Sequence, residues 1–229
     1  MRRAIIVGKG PGCGLAPFEK IKGSRIWGIN NVYADRYVDA IWDMHDIEWT
    51  EEEIRQHYDH LKDIIDEEEI ERRIKLKQRA FGDLRKYCLR TNKPYMSVRK
   101  YPDIPSSVSY PLQKIINRFD CDYFTSTVTY AIAYAIYKDY DSVELFGVGC
   151  VYQEEWAYQR ASVSHWMGIA KGRGMFTAIT GEAGRPLRTH NGKLYGYGIP
   201  QRERGIKCID GYIDHINEII YKAEVWKES

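Results

Sequence analysis

Three short stretches of the chain place side chains, or bare backbone, where they could do chemistry. The first, "GKGPGCGL", sets Gly8, Gly10, Gly12 and Gly14 within seven residues, with Lys9 and Pro11 between them. Glycine adopts positive φ and lets amide N–H groups approach an anion with no Cβ in the way, which suits a phosphate cradle; the same freedom suits a tight turn with no ligand. The two familiar phosphate fingerprints are absent. Lys9 lies between the first two glycines and Leu15 follows the last, so there is no Walker loop. The third position of G-x-G-x-x-G is Cys13, with Gly14 one residue late, and Pro11 has no N–H to donate.

The second stretch, "DMHD", carries Asp43, His45 and Asp46. An imidazole beside carboxylates could act as a general base, and two carboxylates could instead hold Mg²⁺ against substrate phosphates; a solvated turn is the plainer alternative. The third, "SVSHWMGIAKGRG", carries His165, a second candidate base that could equally be a structural helix residue. Beyond these, Glu154 and Glu155 are further carboxylates, although neighbours in an extended segment point in opposite directions. Tyr195 and Tyr197 in "LYGYG" are phenols able to donate to a leaving phosphate. Arg185, Arg188, Arg202 and Arg204 enrich the same polar stretch in cations, which would suit a nucleic-acid backbone.

The elements that must position these residues are read from periodicity. Ala4 to Val7 is short, apolar and largely β-branched, which predicts a buried strand handing over to the glycine loop. Ser24 to Asn30 and Val38 to Asp46 read as second and third strands, the third ending in the charged residues. If the strands run parallel, those residues share the edge at which open α/β sheets bind ligands. Lys93 to Val98 reads as a fourth strand and "YPDIPSS" as a loop. Ser126 to Tyr140 is apolar on nearly every side, a buried helix with Ser126 or Thr127 as its cap, and leads into a strand ending at Gly147 and Gly149. A helix from Ser162 to Lys171, a strand from Met175 to Ile179 and a closing amphipathic helix from Ile209 to Trp226 complete the alternation. That order predicts an α/β fold, a doubly wound, mainly parallel sheet in one domain spanning 1–229, with a helical insertion around 50–92.

The insertion is divided by charge. Asp43 to Glu71 holds thirteen acidic residues against two basic, and Arg72 to Lys100 eleven basic against one acidic. An acidic helix screening a basic one explains this, as does a basic arm closing over a polyphosphate. Over the whole chain of 229 residues the formal charge is +2, so overall balance does not argue for a nucleic-acid binder. The five cysteines are scattered with no C-x-x-C pair, which suggests neither a zinc cage nor a disulfide framework. With no signal-peptide pattern and no apolar run long enough to span a membrane, a soluble cytoplasmic protein is expected. The eighteen tyrosines and six tryptophans serve either as core or as the walls of a cleft for a flat ring.

Two blocks carry a resemblance. "IIVGKGPGCGLAPF" through "IWGINNVYADRYVDAIWDMHD" resembles the N-terminal pattern of a loose Rossmann-like group, in which a first strand ends in G-x-G-P-S, a second in Asn and a third in a short acidic run. "FTSTVTYAIAYAIYKDYDSVELFGVGC" is similar to the same group's capped helix and a strand ending in L-x-G-x-D. The group contains bacterial sialyltransferases that use a nucleotide-linked sugar, the 6-hydroxymethylpterin diphosphokinase fold and phage proteins. The resemblance implies that Gly8, Gly10 and Pro11 shape a nucleotide-phosphate loop, that Asn30 contacts the ligand, and that Ser126 and Thr127 cap a helix beside it. Lys9, Gly12 and Gly147 fall in the same loops, and the "H-x-x-G" context of His165 is similar to that of the group's base. The chain departs from the pattern where Gly12 replaces the Ser and Gly149 the Asp.

These observations imply a nucleotide-dependent transferase, a glycosyltransferase taking a nucleotide sugar, with His165 as base and His45 as its rival. The alternatives are a Mg²⁺-dependent pyrophosphokinase using Asp43 and Asp46, and a protein that binds a nucleotide or nucleic acid without turning it over.

Overall fold

The alternation of apolar side chains along the first strand sets the architecture. In β1 (Arg3–Val7) Ala4 and Ile6 face one side of the sheet and Ile5 and Val7 the other, and all four are fully buried. Such a strand must be covered on both faces. The computed structural model describes residues 1–19, 21–58, 65–150 and 158–180. Glu154, Glu155, Tyr195, Tyr197, the arginine-rich stretch and the expected helix from Ile209 to Trp226 lie outside the described residues.

Around β1 stand β2 (Ser24–Ile29), β3 (Ala40–Trp42), β4 (Tyr95–Ser97), β5 (Ser107–Ser109), β6 (Ser142–Phe146) and β7 (Phe176–Thr180), in the order β5-β4-β3-β2-β1-β6-β7. Every pairing is parallel; Val7 lies opposite Gly28 on one side and Phe146 on the other. The chain thus fills one half of the sheet from β1 outward to β5, then returns beside β1 to build the other half. The expected α/β class and doubly wound sheet describe this arrangement.

On one face lie α4 (Thr127–Tyr137) and α5 (Arg160–Gly172), packed on Ala4, Ile6, Val143 and Leu145. Most of α4 is buried, as expected for a helix apolar all round. Trp27 and Trp42, with ring centroids 4.8 Å apart, and Tyr110 and Tyr134 pack into this layer, so much of the aromatic content is core. The other face is covered by α2 (Glu67–Thr91) through Leu84 and Cys88. The helical insertion consists of α2 and the shorter α1 (Glu51–Tyr58), joined through Ile54, Ile70 and Ile74. Asp66 caps α2 by accepting the Glu69 amide at 2.8 Å, and Arg55 of α1 pairs with Glu67 and Glu71. Acidic and basic residues of the insertion therefore screen one another locally.

Two differences from the sequence reading affect the site. The third strand stops at Trp42, because the Asp43 carboxylate accepts the His45 amide at 3.0 Å and Asp46 accepts the Glu48 amide at 3.0 Å, closing side-chain turns where a strand would need ladder bonds. Sequence reading also passed over β5 and the helix α3 (Leu112–Phe119), which continue from "YPDIPSS".

Candidate functional site

At the carboxyl edge of the sheet, the chain leaves β1 toward β2 on one side and β6 toward β7 on the other, which makes the junction of β1 and β6 the switch point of the sheet. Glycine is required there by backbone contact. Gly8 N–H donates to the Phe146 carbonyl and Gly10 N–H to the Gly147 carbonyl, both at 2.8 Å. A Cβ at Gly8 or Gly10 would stand 2.6 or 2.7 Å from the Gly147 carbonyl oxygen. One at Gly147 would stand 2.5 Å from the Gly8 carbonyl oxygen and 2.7 Å from the Cys13 Cβ. Gly147 also has φ 61°. Three glycines thus interlock where β1 and β6 end, and two of their amides join the loops to each other. The Gly12 amide, at φ 88°, and that of Lys9 have no backbone partner among the described residues. Lys9 Nζ pairs with Asp35 at 2.8 Å on the surface.

Asn30, directly after β2, holds a left-handed φ of 53°. Its Oδ1 is buried with no hydrogen-bond partner among the described residues. Ser126, at the N-terminus of α4, is similar: Thr129 Oγ1 accepts the Ser126 amide at 3.4 Å in the outline of a capping box, while Ser126 Oγ is buried and unbonded. Thr127 is tied instead to the loop after β3, accepting the Met44 amide at 3.4 Å. Buried polar atoms left unbonded cost about 1–3 kcal/mol each, so two of them following β2 and opening α4 suit a site completed by a ligand.

The loop after β3 carries the titratable groups. His45 Nδ1 lies 2.6 Å from Asp43 Oδ1, and the hydrogen bond to Asp43 holds the imidazole pKa above its ordinary value; burial and the Lys77 charge oppose the rise. Asp46 is differently engaged. Burial works to raise its pKa, but the Glu48 amide, Arg99 and the Tyr101 hydroxyl together hold it below the ordinary carboxylate range. Arg99 bridges Asp46 and Glu48 at 2.8 Å each, Tyr101 OH donates to Asp46 at 3.2 Å, and Arg85 of α2 donates to the Ile47 carbonyl at 3.2 Å. Lys77 of α2 stands 3.8 Å from the Trp49 ring centroid, and burial lowers its pKa. No group of three or more His, Cys, Asp or Glu side chains converges in a metal-binding arrangement among the described residues.

The structure therefore brings Gly8, Gly10 and Gly147 together, and sets Thr127 beside the loop of Asp43, His45 and Asp46. His165 stands apart on α5, exposed, with its Nε2 3.3 Å from Cys121 Sγ. Among the described residues no hydrogen bond or ring contact joins it to residues 43–46. Sequence reasoning missed Lys77, Arg85, Arg99 and Tyr101. It counted the basic ones as part of a charged run, and nothing local indicated that they brace the Asp43–Trp49 loop.

These features define a doubly wound α/β protein with glycine-rich loops meeting at the switch point. No family model matches the chain, and no curated protein matches it. Among solved structures it is similar to the sialyltransferase CstII from Campylobacter jejuni in complex with the substrate analogue CMP-3FNeuAc, at 12% identity and a TM-score of 0.46, covering 78% of this chain and 81% of that one. It is similar also to the same enzyme with cytidine-5'-monophosphate, at 11% identity and a TM-score of 0.42, covering 78% and 79%. No described helix is long and apolar enough to cross a membrane.

Proposed function

We propose that the chain binds a nucleotide in the crevice between the loops after β1 and β6, and transfers a glycosyl group from a nucleotide sugar. The observation that carries the reading is the set of interlocked glycines at the switch point, together with two buried side-chain atoms that make no hydrogen bond among the described residues, Asn30 Oδ1 and Ser126 Oγ. Amides with no Cβ in the way suit phosphate oxygens, and an amide side chain and a hydroxyl suit a sugar or base edge.

We assign the base to His45, the one of the two histidines with a carboxylate partner among the described residues. With its Nδ1–H directed at Asp43, Nε2 is left to accept a proton. The acceptor hydroxyl oxygen would bond to the anomeric carbon as the carbon–oxygen bond to the nucleotide phosphate breaks. The hydroxyl proton would pass to His45 Nε2, and the leaving phosphate would be met by loop amides. Mg²⁺-dependent pyrophosphoryl transfer would instead require Asp43 and Asp46 to exchange His45, Arg99 and Tyr101 for a cation. The test is nucleotide release from a panel of nucleotide sugars with simple sugar acceptors. Turnover of one donor that His45→Gln lowers by about 10²- to 10⁴-fold supports the reading. No release from any donor, or turnover that His45→Gln leaves unchanged, removes it.

A further inference from the structure

We propose that Cys121 is a reactive thiol, paired with His165, that takes soft electrophiles and hydroperoxides. Cys121 Sγ and His165 Nε2 are 3.3 Å apart, within reach for the thiol proton to pass to the imidazole, and nothing in the glycosyl-transfer reading uses the pair. The pairing is built rather than incidental. Asp120 closes α3 with φ 48°, which turns the chain so that residues 121–125 run along α5. That segment is clamped at three points: the Tyr123 carbonyl accepts Ser162 Oγ at 2.9 Å and Trp166 Nε1 at 2.8 Å, and Thr125 Oγ1 donates to the Tyr158 carbonyl at 3.1 Å. The Tyr123 ring stands edge-on to the imidazole, with centroids 5.8 Å apart. Both partners are reachable from solvent, since Cys121 is half-buried and His165 exposed.

The other described cysteines lack this setting. Cys88 and Cys150 are buried, and burial pushes the Cys88 thiol up to about 11. Cys13 is half-buried like Cys121, but no histidine among the described residues pairs with it, which makes it an internal control. Reactivity needs an acceptor for the thiol proton and access for the reagent; the His165 imidazole at 3.3 Å is positioned to be that acceptor, and both groups meet solvent. With a hydroperoxide, the Cys121 proton passes to His165 Nε2 and the thiolate sulfur attacks the terminal peroxide oxygen. A sulfur–oxygen bond forms as the oxygen–oxygen bond breaks. The departing alkoxide or hydroxide takes the proton from the imidazolium and leaves as alcohol or water. Cysteine is oxidised to sulfenic acid and the peroxide reduced; an added thiol reverses the change through a disulfide.

The experiment is limited alkylation of the full chain with iodoacetamide at neutral pH, followed by peptide mass mapping. Cys121 is expected to react about 10-fold faster than Cys13. His165→Gln should remove most of that advantage while leaving the Cys13 rate unchanged. Guanidinium unfolding of the wild-type chain should likewise bring the two rates together, a comparison that stands even if the variant does not fold. Hydrogen peroxide followed by dimedone should label Cys121 before Cys13. Equal rates in the folded protein, a Cys121 rate indifferent to His165→Gln in a folded variant, or no dimedone adduct at Cys121 would each overturn the proposal. None of these readouts involves a nucleotide, so they stand or fall apart from glycosyl transfer.

Discussion

Asp43 Oδ1 lies 2.6 Å from His45 Nδ1 and also accepts the His45 amide at 3.0 Å, so a single carboxylate oxygen fixes both the backbone turn and the imidazole. A base must be deprotonated to act, and Asp43 holds the His45 pKa above its ordinary value of 6.5. Activity should therefore rise with pH through a midpoint above 6.5. In Asp43→Asn the stabilising carboxylate is lost, so the midpoint should move to lower pH while the maximal rate falls. A pH–rate series on both proteins measures this; an unmoved midpoint would separate His45 from the reaction.

The interlocked glycines predict a contrast between neighbouring positions. Gly147→Ala places a Cβ 2.5 Å from the Gly8 carbonyl oxygen at a φ of 61°, and should cost about 2–4 kcal/mol in a denaturant titration. Gly14 has nothing within 4 Å of its Cβ direction, so Gly14→Ala should change stability by less than about 0.5 kcal/mol. Similar values for the two would mean that the loops after β1 and β6 do not meet as described.

Asn30 separates backbone from side chain. Asn30→Gly keeps the left-handed φ of 53° but removes the unbonded Oδ1, so fold stability should stay within about 1 kcal/mol while nucleotide affinity falls about 10-fold. Thermal unfolding with and without nucleotide gives both quantities from one sample. An affinity equal to wild type would remove Asn30 from the site.

Arg3 and Glu144 link β1 to β6 through two parallel bonds of 2.8 Å, and Ser142 Oγ adds a third to the same carboxylate at 3.1 Å. The Arg3 bond holds the Glu144 pKa below its ordinary 4.5, with burial opposing. Because the folded value is the lower, this contribution is present above pH 4.5 and is lost as pH falls through the folded value. Glu144→Gln should cost about 1–3 kcal/mol at neutral pH, and the loss should shrink on acidification. Equal effects at neutral and acid pH would contradict the assignment.

The readability of this fold followed the range of the interactions. Strand β1 and helix α4 were readable because their burial is written as apolar runs, Ala4 to Val7 and Tyr130 to Tyr137. The end of β3 was not, because Asp43 and Asp46 look like strand-end carboxylates until their side chains are seen to close turns. α3 carries Leu112, Ile115, Ile116 and Phe119 at helical spacing behind Pro111, a signal present but passed over beside "YPDIPSS". The bracing of the site was beyond reach of local pattern. Arg99 meets Asp46 across 53 positions and Cys121 meets His165 across 44, so only the folded sheet brings them together.

The most direct test of the crevice is isothermal titration calorimetry with the 5'-mono- and diphosphates of cytidine, uridine, guanosine and adenosine, on wild type and on Asn30→Gly. The account predicts saturable one-site binding of at least one of these nucleotides, weakened about 10-fold in the variant. No binding heat from any of them, or isotherms that coincide for the two proteins, would contradict it.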